Sequence, residues 1–165
     1  MNNFQVEDAT AMGALGGRLG QALDNGGVVY LKGELGAGKT TLVRGVLAGM
    51  GFHGKVRSPT YTLMENYQIE DRSFRHLDLY RIRQAEELEY LGVRELDEPH
   101  TWVFVEWPEL GAGHLPPADL EARLEFVEPG RLLHVSAGSD RGRRLLEAWV
   151  SRVADSPVPG VRMQA

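Results

Sequence analysis

Hydrophobic residues recur at three- and four-residue spacing near the N-terminus, which predicts an amphipathic helix with Asp8 as its N-cap. The apolar positions of this period are Met12, Leu15, Leu19 and Leu23. Residues 28–31 are Val-Val-Tyr-Leu, a short apolar run typical of a buried strand. A glycine-rich turn follows, and residues 39–50 again carry one apolar face. The first third of the chain therefore predicts the order helix, strand, helix.

The remaining chain continues this alternation. Residues 74–80 predict a strand, residues 85–90 a short helix, and residues 102–105, which are apolar throughout, a second buried strand. Residues 120–127 and 132–135 predict a hairpin that turns at Pro129-Gly130, and residues 145–153 predict a last helix. Together these elements predict an α/β fold with a mainly parallel sheet, helices on both faces, and an antiparallel C-terminal hairpin.

The length of 165 residues is that of one domain. We assign residues 1–153 to it, and we expect residues 154–165, which contain Pro157-Val158-Pro159-Gly160, to be a flexible tail.

Composition and charge narrow the classes of function. The chain has no cysteine, which excludes disulfides, cysteine-ligated metals and thiol catalysis. Its net charge is −5 and its only lysines are Lys32, Lys39 and Lys55, so direct tRNA binding is not expected. No apolar run approaches the length of a membrane span, and the acidic N-terminus is unlike a signal peptide. We therefore expect a cytoplasmic protein that does not contact membranes.

One segment matches the phosphate-binding loop pattern G-x-x-x-x-G-K-[ST]. It comprises Gly33, Glu34, Leu35, Gly36, Ala37, Gly38, Lys39 and Thr40, and Thr41 follows directly. Glycines let several backbone N–H groups approach a phosphate, Lys39 supplies a positive charge, and the Thr40 hydroxyl can bind Mg²⁺. The motif follows a predicted strand and opens a predicted helix, as this loop requires. The sequence therefore predicts a nucleotide site at which Thr40 can hold Mg²⁺.

Two carboxylates are candidates for the acidic group that such a site needs at the end of another strand. Glu106 follows the apolar strand 102–105, which favours a role in holding Mg²⁺. Asp78 lies between Leu77 and Leu79 and should face away from them. We interpret Asp78 as the group that orients the attacking water or senses the γ-phosphate.

Three further features lie close to these residues in the chain. Ser58-Pro59-Thr60-Tyr61-Thr62 stands where nucleotide-switched proteins place a loop that senses the γ-phosphate, and a threonine hydroxyl such as that of Thr60 can reach Mg²⁺. Trp107 directly follows Glu106, and its ring serves either as a core or lid residue or as a contact to nucleotide or a partner protein. His76 is interpreted as a strand histidine rather than as a metal ligand.

Four motifs together resemble the TsaE family, formerly YjeE, the bacterial ATPases required for threonylcarbamoyladenosine in tRNA. They are Gly-Glu-Leu-Gly-Ala-Gly-Lys-Thr-Thr (33–41), Ser-Pro-Thr-Tyr-Thr-Leu (58–63), His-Leu-Asp-Leu-Tyr-Arg (76–81) and Glu-Trp-Pro-Glu (106–109). The likeness runs from about Val6 to Gly113, and the C-terminal third carries no matching motif.

The resemblance implies a P-loop NTPase-like core with Mg²⁺ held through Thr40 and Glu106. It also implies that Asp78 is important for hydrolysis, that Trp107 lies near the nucleotide, and that Thr10 approaches the adenine. The implied partners are the TsaB and TsaD proteins, which modify the adenosine beside the anticodon of tRNAs that read ANN codons. Contact with tRNA would be indirect, through that complex.

Three other classes of protein share parts of this pattern. A P-loop small-molecule kinase is the main alternative, with Arg72, Arg75, Arg81 and Arg83 as candidate lid residues, although no long arginine-rich lid segment is present. A GTPase is set aside because no lysine stands in an [NT]-K-x-D motif. A non-catalytic assembly factor that only binds nucleotide has the same residues as a slow ATPase, so that alternative stays open.

The phosphate-loop assignment predicts that Lys39→Ala removes most of the affinity for ATP, because the triphosphate loses the only lysine of the loop. Isothermal titration calorimetry measures this loss. An affinity close to that of the unchanged protein would contradict the placement of the site.

Overall fold

A mixed eight-stranded β-sheet with the strand order β3-β4-β5-β2-β6-β7-β1-β8 organises the protein. The computed structural model describes residues 2–93, 96 and 98–164. The strands are β1 (Asn2–Val6), β2 (Gly27–Lys32), β3 (Met64–Ile69), β4 (Arg72–Asp78), β5 (Thr101–Glu106), β6 (Leu120–Phe126), β7 (Arg131–Ala137) and β8 (Val161–Gln164). The α-helices among these residues are α1 (Ala9–Ala22), α2 (Lys39–Gly49) and α3 (Asp140–Asp155), and 3₁₀ helices span Ala85–Leu91 and Pro108–Gly111.

Parallel strands form the centre of the sheet. β2 pairs in parallel with β5 and with β6, and β5 pairs in parallel with β4. The flanking pairs are antiparallel, including the predicted hairpin of β6 and β7. Every residue of β5 is buried, which explains the uninterrupted apolar run of residues 102–105. The α/β prediction with a C-terminal hairpin is confirmed, and the parallel part of the sheet is the four neighbouring strands β4, β5, β2 and β6.

The two faces of the sheet are covered differently. The three α-helices pack on one face in a single core, where the fully buried indole N–H of Trp149 in α3 donates to the Leu15 carbonyl of α1 at 3.1 Å. On the other face a smaller apolar cluster packs around Leu88 of the first 3₁₀ helix. Beside it β6 and β7 carry polar side chains, such as His134, whose Nε2 lies 3.3 Å from a carboxylate oxygen of Glu125. The expected helices on this second face are thus 3₁₀ helices in the described part of the chain.

Glycines bring α1 and α2 into backbone contact. A Cβ atom on Gly20 would lie 2.1 Å from the carbonyl oxygen of Val46, and one on Gly45 would lie 2.0 Å from that of Gly13. Such separations leave no room for any side chain, so part of the high glycine content is a packing requirement. Because α2 begins at the phosphate loop, this close contact also fixes the position of the loop.

The prediction of a flexible tail over residues 154–165 is corrected by the structure, because part of this segment joins the sheet. β8 pairs with β1, the Glu7 N–H donates to the Gly160 carbonyl at 2.9 Å, and Val158 is buried. The predicted boundary at residue 153 also lies inside α3, which ends at Asp155. The hydrophobic pattern does not predict β1 or β8. Both strands are short, lie at or next to an edge of the sheet, and contain no continuous apolar run.

No helix in the part of the chain that the structure describes has the length and apolar character needed to cross a membrane.

The helix contact predicts different effects for two glycines of α1. Gly20→Ala should lower the free energy of unfolding by about 2 kcal/mol or more, because a backbone carbonyl occupies the space of the added methyl group. Gly13→Ala is the matched control, since a Cβ atom there meets nothing within 4 Å and alanine favours a helix. Urea unfolding of both variants measures the difference. Equal stabilities would contradict the proposed close packing.

Candidate nucleotide site

The glycine-rich loop connects the end of β2 to the start of α2, as predicted. Gly33, Gly36 and Gly38 have φ angles of 145°, 78° and 109°, a region that other residues rarely adopt. Gly38 is the residue before α2, so the first N–H groups of the helix open toward the loop. This arrangement directs backbone donors and the positive end of the helix dipole to one point, which suits a phosphate group.

Lys39 lies at the centre of the loop with only 4% of its surface exposed. Its ammonium group donates to the carbonyl oxygens of Gly33 and Glu34, and it lies 4.3 Å from the centroid of the Trp107 ring. Burial lowers the pKa of Lys39, and nearby carboxylates, foremost that of Glu106, oppose this shift. The cation is thus held inside the protein by neutral oxygens and an aromatic face, which a bound phosphate can replace.

The parallel register of β4 and β5 places Asp78 directly opposite Glu106. Glu106 is 3% exposed, and the Thr40 hydroxyl donates to its carboxylate at 3.0 Å. Asp78 is partly exposed and accepts from the Tyr80 N–H at 3.1 Å. Burial raises the pKa of Asp78, with a smaller upward contribution from Glu106 and a downward one from the Tyr80 N–H. The two predicted carboxylates therefore lie side by side beneath the phosphate loop, in different environments.

The oxygen donors fit a magnesium ion bound together with phosphates. The Thr40 hydroxyl and the Glu106 carboxylate are already in contact, and Mg²⁺ prefers such oxygen ligands with water and phosphate completing its shell. Within the described residues, no group of three or more histidine, aspartate or glutamate side chains is arranged as a metal site. The two oxygen donors thus fit a metal ion whose remaining ligands are phosphate oxygens and water.

The predicted sensing loop borders the same cleft. Ser58 and Thr60 line it beside Asp78 and the phosphate loop, and their hydroxyl oxygens lie 2.6 Å apart. The Asp78 N–H donates to the Leu63 carbonyl at 3.0 Å. A backbone hydrogen bond thus connects the end of the loop to the strand that carries the candidate catalytic carboxylate.

Trp107 forms the rim of the cleft. Its backbone is left-handed, with φ 57° and ψ 49°, a conformation that costs a residue with a side chain about 1 kcal/mol or more. Its ring lies 5.2 Å from the Tyr80 ring, centroid to centroid. The strained turn follows the end of β5 and places the indole ring against the Lys39 ammonium group.

The structure brings almost all predicted site residues to one cleft. Its lining comprises Leu35, Gly36, Ala37, Gly38, Lys39, Thr40, Thr41, Ser58, Thr60, Asp78, Glu106 and Trp107. Gly33 and Glu34 contribute the carbonyl groups that hold Lys39. Thr10 is different: it is exposed in the first turn of α1 and lines neither this cleft nor the pocket beside it.

Sequence reasoning missed a second pocket on the other side of the phosphate loop. It is lined by Glu7, Asp8, Ala9, Met12, Gly36, Ala37, Gly38, Thr41, Gly130 and Arg131. Arg131 donates to the Gly36 carbonyl at 3.2 Å from 95 positions along the chain. No local motif marks these residues, because the pocket arises where the β1–α1 turn and the β6–β7 hairpin meet the loop.

Comparison with known proteins agrees with this geometry. A protein-family model described as "Threonylcarbamoyl adenosine biosynthesis protein TsaE" matches residues 6–132. The chain belongs to the TsaE family. The family resemblance drawn from the four motifs is therefore confirmed.

Individual TsaE proteins and a solved structure are similar over most of the chain. A protein of Haemophilus influenzae named "tRNA threonylcarbamoyladenosine biosynthesis protein TsaE" is 43% identical over 74% of this chain and 77% of its own length. A protein of the same name from Synechocystis is 40% identical over 64% of this chain and 69% of its own length. The crystal structure of Bacillus subtilis YdiB superposes with a TM-score of 0.72 at 25% identity, covering 92% of this chain and 94% of that one.

The different surroundings of the two carboxylates in this TsaE-family site predict a defect in nucleotide binding for one variant and a defect in turnover for the other. Glu106→Gln should weaken Mg²⁺-dependent nucleotide binding, because it changes the charge that contacts Thr40. Asp78→Asn should preserve binding and lower kcat for ATP by about 100-fold or more, the usual size of a lost acid–base or water-orienting group. Calorimetry and steady-state turnover separate the two effects.

The stability of Asp78→Asn serves as its control. Burial makes the ionised form of Asp78 costly, so the neutral amide should fold at least as well. Equal losses of binding in both variants would contradict the separate roles.

Proposed function

We propose that the protein is a Mg²⁺-dependent ATP hydrolase required for formation of the threonylcarbamoyl group on the adenosine beside the anticodon of tRNAs that read ANN codons. In this proposal it acts through nucleotide-controlled association with the TsaB–TsaD complex, in the cytoplasm. The observation that carries the proposal is the contact of Thr40 with the buried Glu106, beside Lys39 and opposite Asp78. The relatives named for tRNA threonylcarbamoyladenosine biosynthesis supply the biological context.

Binding of the triphosphate rests on the phosphate loop. Backbone N–H groups at the start of α2 would contact the β-phosphate, and Lys39 would exchange its two carbonyl partners for phosphate oxygens. Thr40 and Glu106 would hold Mg²⁺, which supplies charge neutralisation at the phosphates. Desolvation around Lys39, at 4% exposure, strengthens each of these electrostatic contacts.

Hydrolysis needs a group that orients water in line with the γ-phosphate. Asp78 suits this role because it borders the cleft and keeps part of its surface exposed, whereas Glu106 is engaged by Thr40. Burial raises the pKa of Asp78, which makes its carboxylate a better proton acceptor than an ordinary aspartate. We propose that turnover by the isolated protein is slow.

The nucleoside would occupy the pocket on the other side of the loop. That pocket shares Gly36, Ala37, Gly38 and Thr41 with the phosphate cleft, so one ligand can span both. The apolar side chain of Met12 and the backbone of Gly130 offer surfaces on which a base can pack. Thr10 directly follows Ala9 of the pocket lining but does not line the pocket itself, so it would contact the adenine only at the outer edge.

Communication with partner proteins would pass through the sensing loop. Tyr61 is 86% exposed at its tip, with the Arg81 guanidinium 5.2 Å from the centre of its ring. The loop also reaches Asp78 through the Leu63 carbonyl. A change at the γ-phosphate would thus alter a surface that presents an aromatic and a cationic group to a protein.

The proposal predicts that ATP strengthens association with the TsaB–TsaD pair by on the order of 10-fold relative to ADP, a common size for coupling between two sites. Analytical ultracentrifugation of the three proteins with ATP, with ADP and without nucleotide measures it. Lys39→Ala is the control, because loss of nucleotide binding should abolish the difference. The partner pair should also accelerate hydrolysis.

Three outcomes would contradict the proposal. Assembly that ignores the nucleotide would remove the coupling between sites. Tight, salt-sensitive binding of tRNA by this chain alone would conflict with its net charge of −5. Stoichiometric phosphorylation of a small metabolite would instead favour the kinase alternative.

A further inference from the structure

His76 is a buried polar residue for which the proposed reaction has so far no use. It is 0% exposed on β4, and it lies on the same face of the sheet as Phe74 and Asp78. Its Nε2 lies 2.5 Å from Oε2 of Glu106, which belongs to the neighbouring strand. A buried side-chain contact this short, at the residue proposed to hold Mg²⁺, indicates more than core packing.

The partners of the two ring nitrogens determine the direction of this hydrogen bond. Nδ1 has no hydrogen-bond partner among the residues that the structure describes. A proton on Nε2 gives the carboxylate a donor and leaves only an acceptor unpaired at Nδ1. A proton on Nδ1 would instead bury an unsatisfied N–H and turn a lone pair toward the carboxylate, which is costly. His76 therefore donates through Nε2.

The hydrogen bonds around Glu106 then fix the orientation of its carboxylate. Oε2 accepts from His76 at 2.5 Å and from the Thr40 hydroxyl at 3.0 Å, and Oε1 lies 3.2 Å from the same hydroxyl. If the Thr40 oxygen also binds a metal ion, its hydroxyl group serves two partners, whereas the Nε2–H of His76 serves Glu106 alone. His76 suits this role because its ring is enclosed in the core and is not part of the cleft lining, although it contacts the lining residue Glu106.

We propose that His76 is a positioning residue, which holds Glu106 through the Nε2–H donor so that the carboxylate keeps the orientation needed for Mg²⁺. This inference rests on the proposed function. In this proposal His76 itself does not bind the metal ion, since its Nε2 already contacts Glu106 and its Nδ1 is buried outside the cleft lining. Donors behind a metal-holding group typically contribute about 10- to 100-fold to metal affinity or activity.

The test compares nucleotide affinity in Mg²⁺ with affinity in EDTA, measured by calorimetry with a non-hydrolysable ATP analogue. In His76→Leu, the ratio of the two affinities should fall by about 10-fold or more, while affinity in EDTA stays unchanged. Thr40→Ala, which removes a proposed metal ligand, gives the scale of a full loss. His76→Gln, whose amide nitrogen has a similar reach, should restore the ratio.

Phe74→Leu is the matched control for packing. Phe74 is also 0% exposed, lies on the same face of β4 and packs against Phe104 with ring centroids 4.8 Å apart, but in the strand register it lies opposite Trp102, four positions before Glu106. It should lower the Tm while leaving the Mg²⁺ ratio unchanged. A fall of the ratio in Phe74→Leu equal to that in His76→Leu would overturn the proposal, because the effect would then be general destabilisation.

Two further outcomes overturn it: an unchanged ratio in His76→Leu, or a ratio in His76→Gln as low as in His76→Leu. If the leucine variant does not fold, His76→Asn replaces it, since its shorter amide cannot reach Glu106. An asparagine variant with the ratio of the unchanged protein would overturn the proposal, and a reduced ratio beside a restored glutamine variant would support it. Failure of the unchanged protein to bind the analogue in Mg²⁺ would contradict the proposed function itself.

Discussion

A carboxylate enclosed in a protein core must find hydrogen-bond donors, and this requirement organises the candidate site. Glu106 ends a strand whose residues are all buried, and only 3% of its surface meets solvent. Its donors come from α2 through Thr40 and from β4 through His76. Lys39 lies close enough that Glu106 is the largest charged influence on its pKa. The helix, the two strands and the loop are thus held together at one buried charge.

The strand register and the glycine contacts between the helices together position the groups around Glu106. Parallel pairing of β4, β5 and β2 brings Asp78, Glu106 and Leu31 to the same level at one edge. The backbone contact of α1 with α2, which depends on Gly20 and Gly45, sets where the helix and its loop lie above that edge. A shift in either part would separate Thr40 from Glu106. The geometry of the site therefore depends on these glycines, although glycine loses more conformational freedom on folding than other residues do.

Backbone strain and buried ionisable side chains occur together around the phosphate loop. Trp107 keeps a left-handed backbone, Lys39 is buried with a lowered pKa, and Asp78 has a raised one. Each of these conditions costs stability, and the surrounding core has to supply the compensating free energy. Their concentration around the phosphate loop is typical of a candidate functional site and not of a glycine-rich turn that only connects a strand and a helix.

The sequence by itself determined the α/β fold, the phosphate loop, the two carboxylates and the family. These features are local: the loop is one continuous segment whose glycines and lysine act through their immediate neighbours, and Glu106 is marked by the apolar strand directly before it. Only the tertiary structure decided that β8 pairs with β1, that Arg131 reaches Gly36, and that His76 donates to Glu106 across 30 positions of the chain. These contacts depend on strand order and register, which arise from packing of the whole core and leave no short-range pattern in the chain.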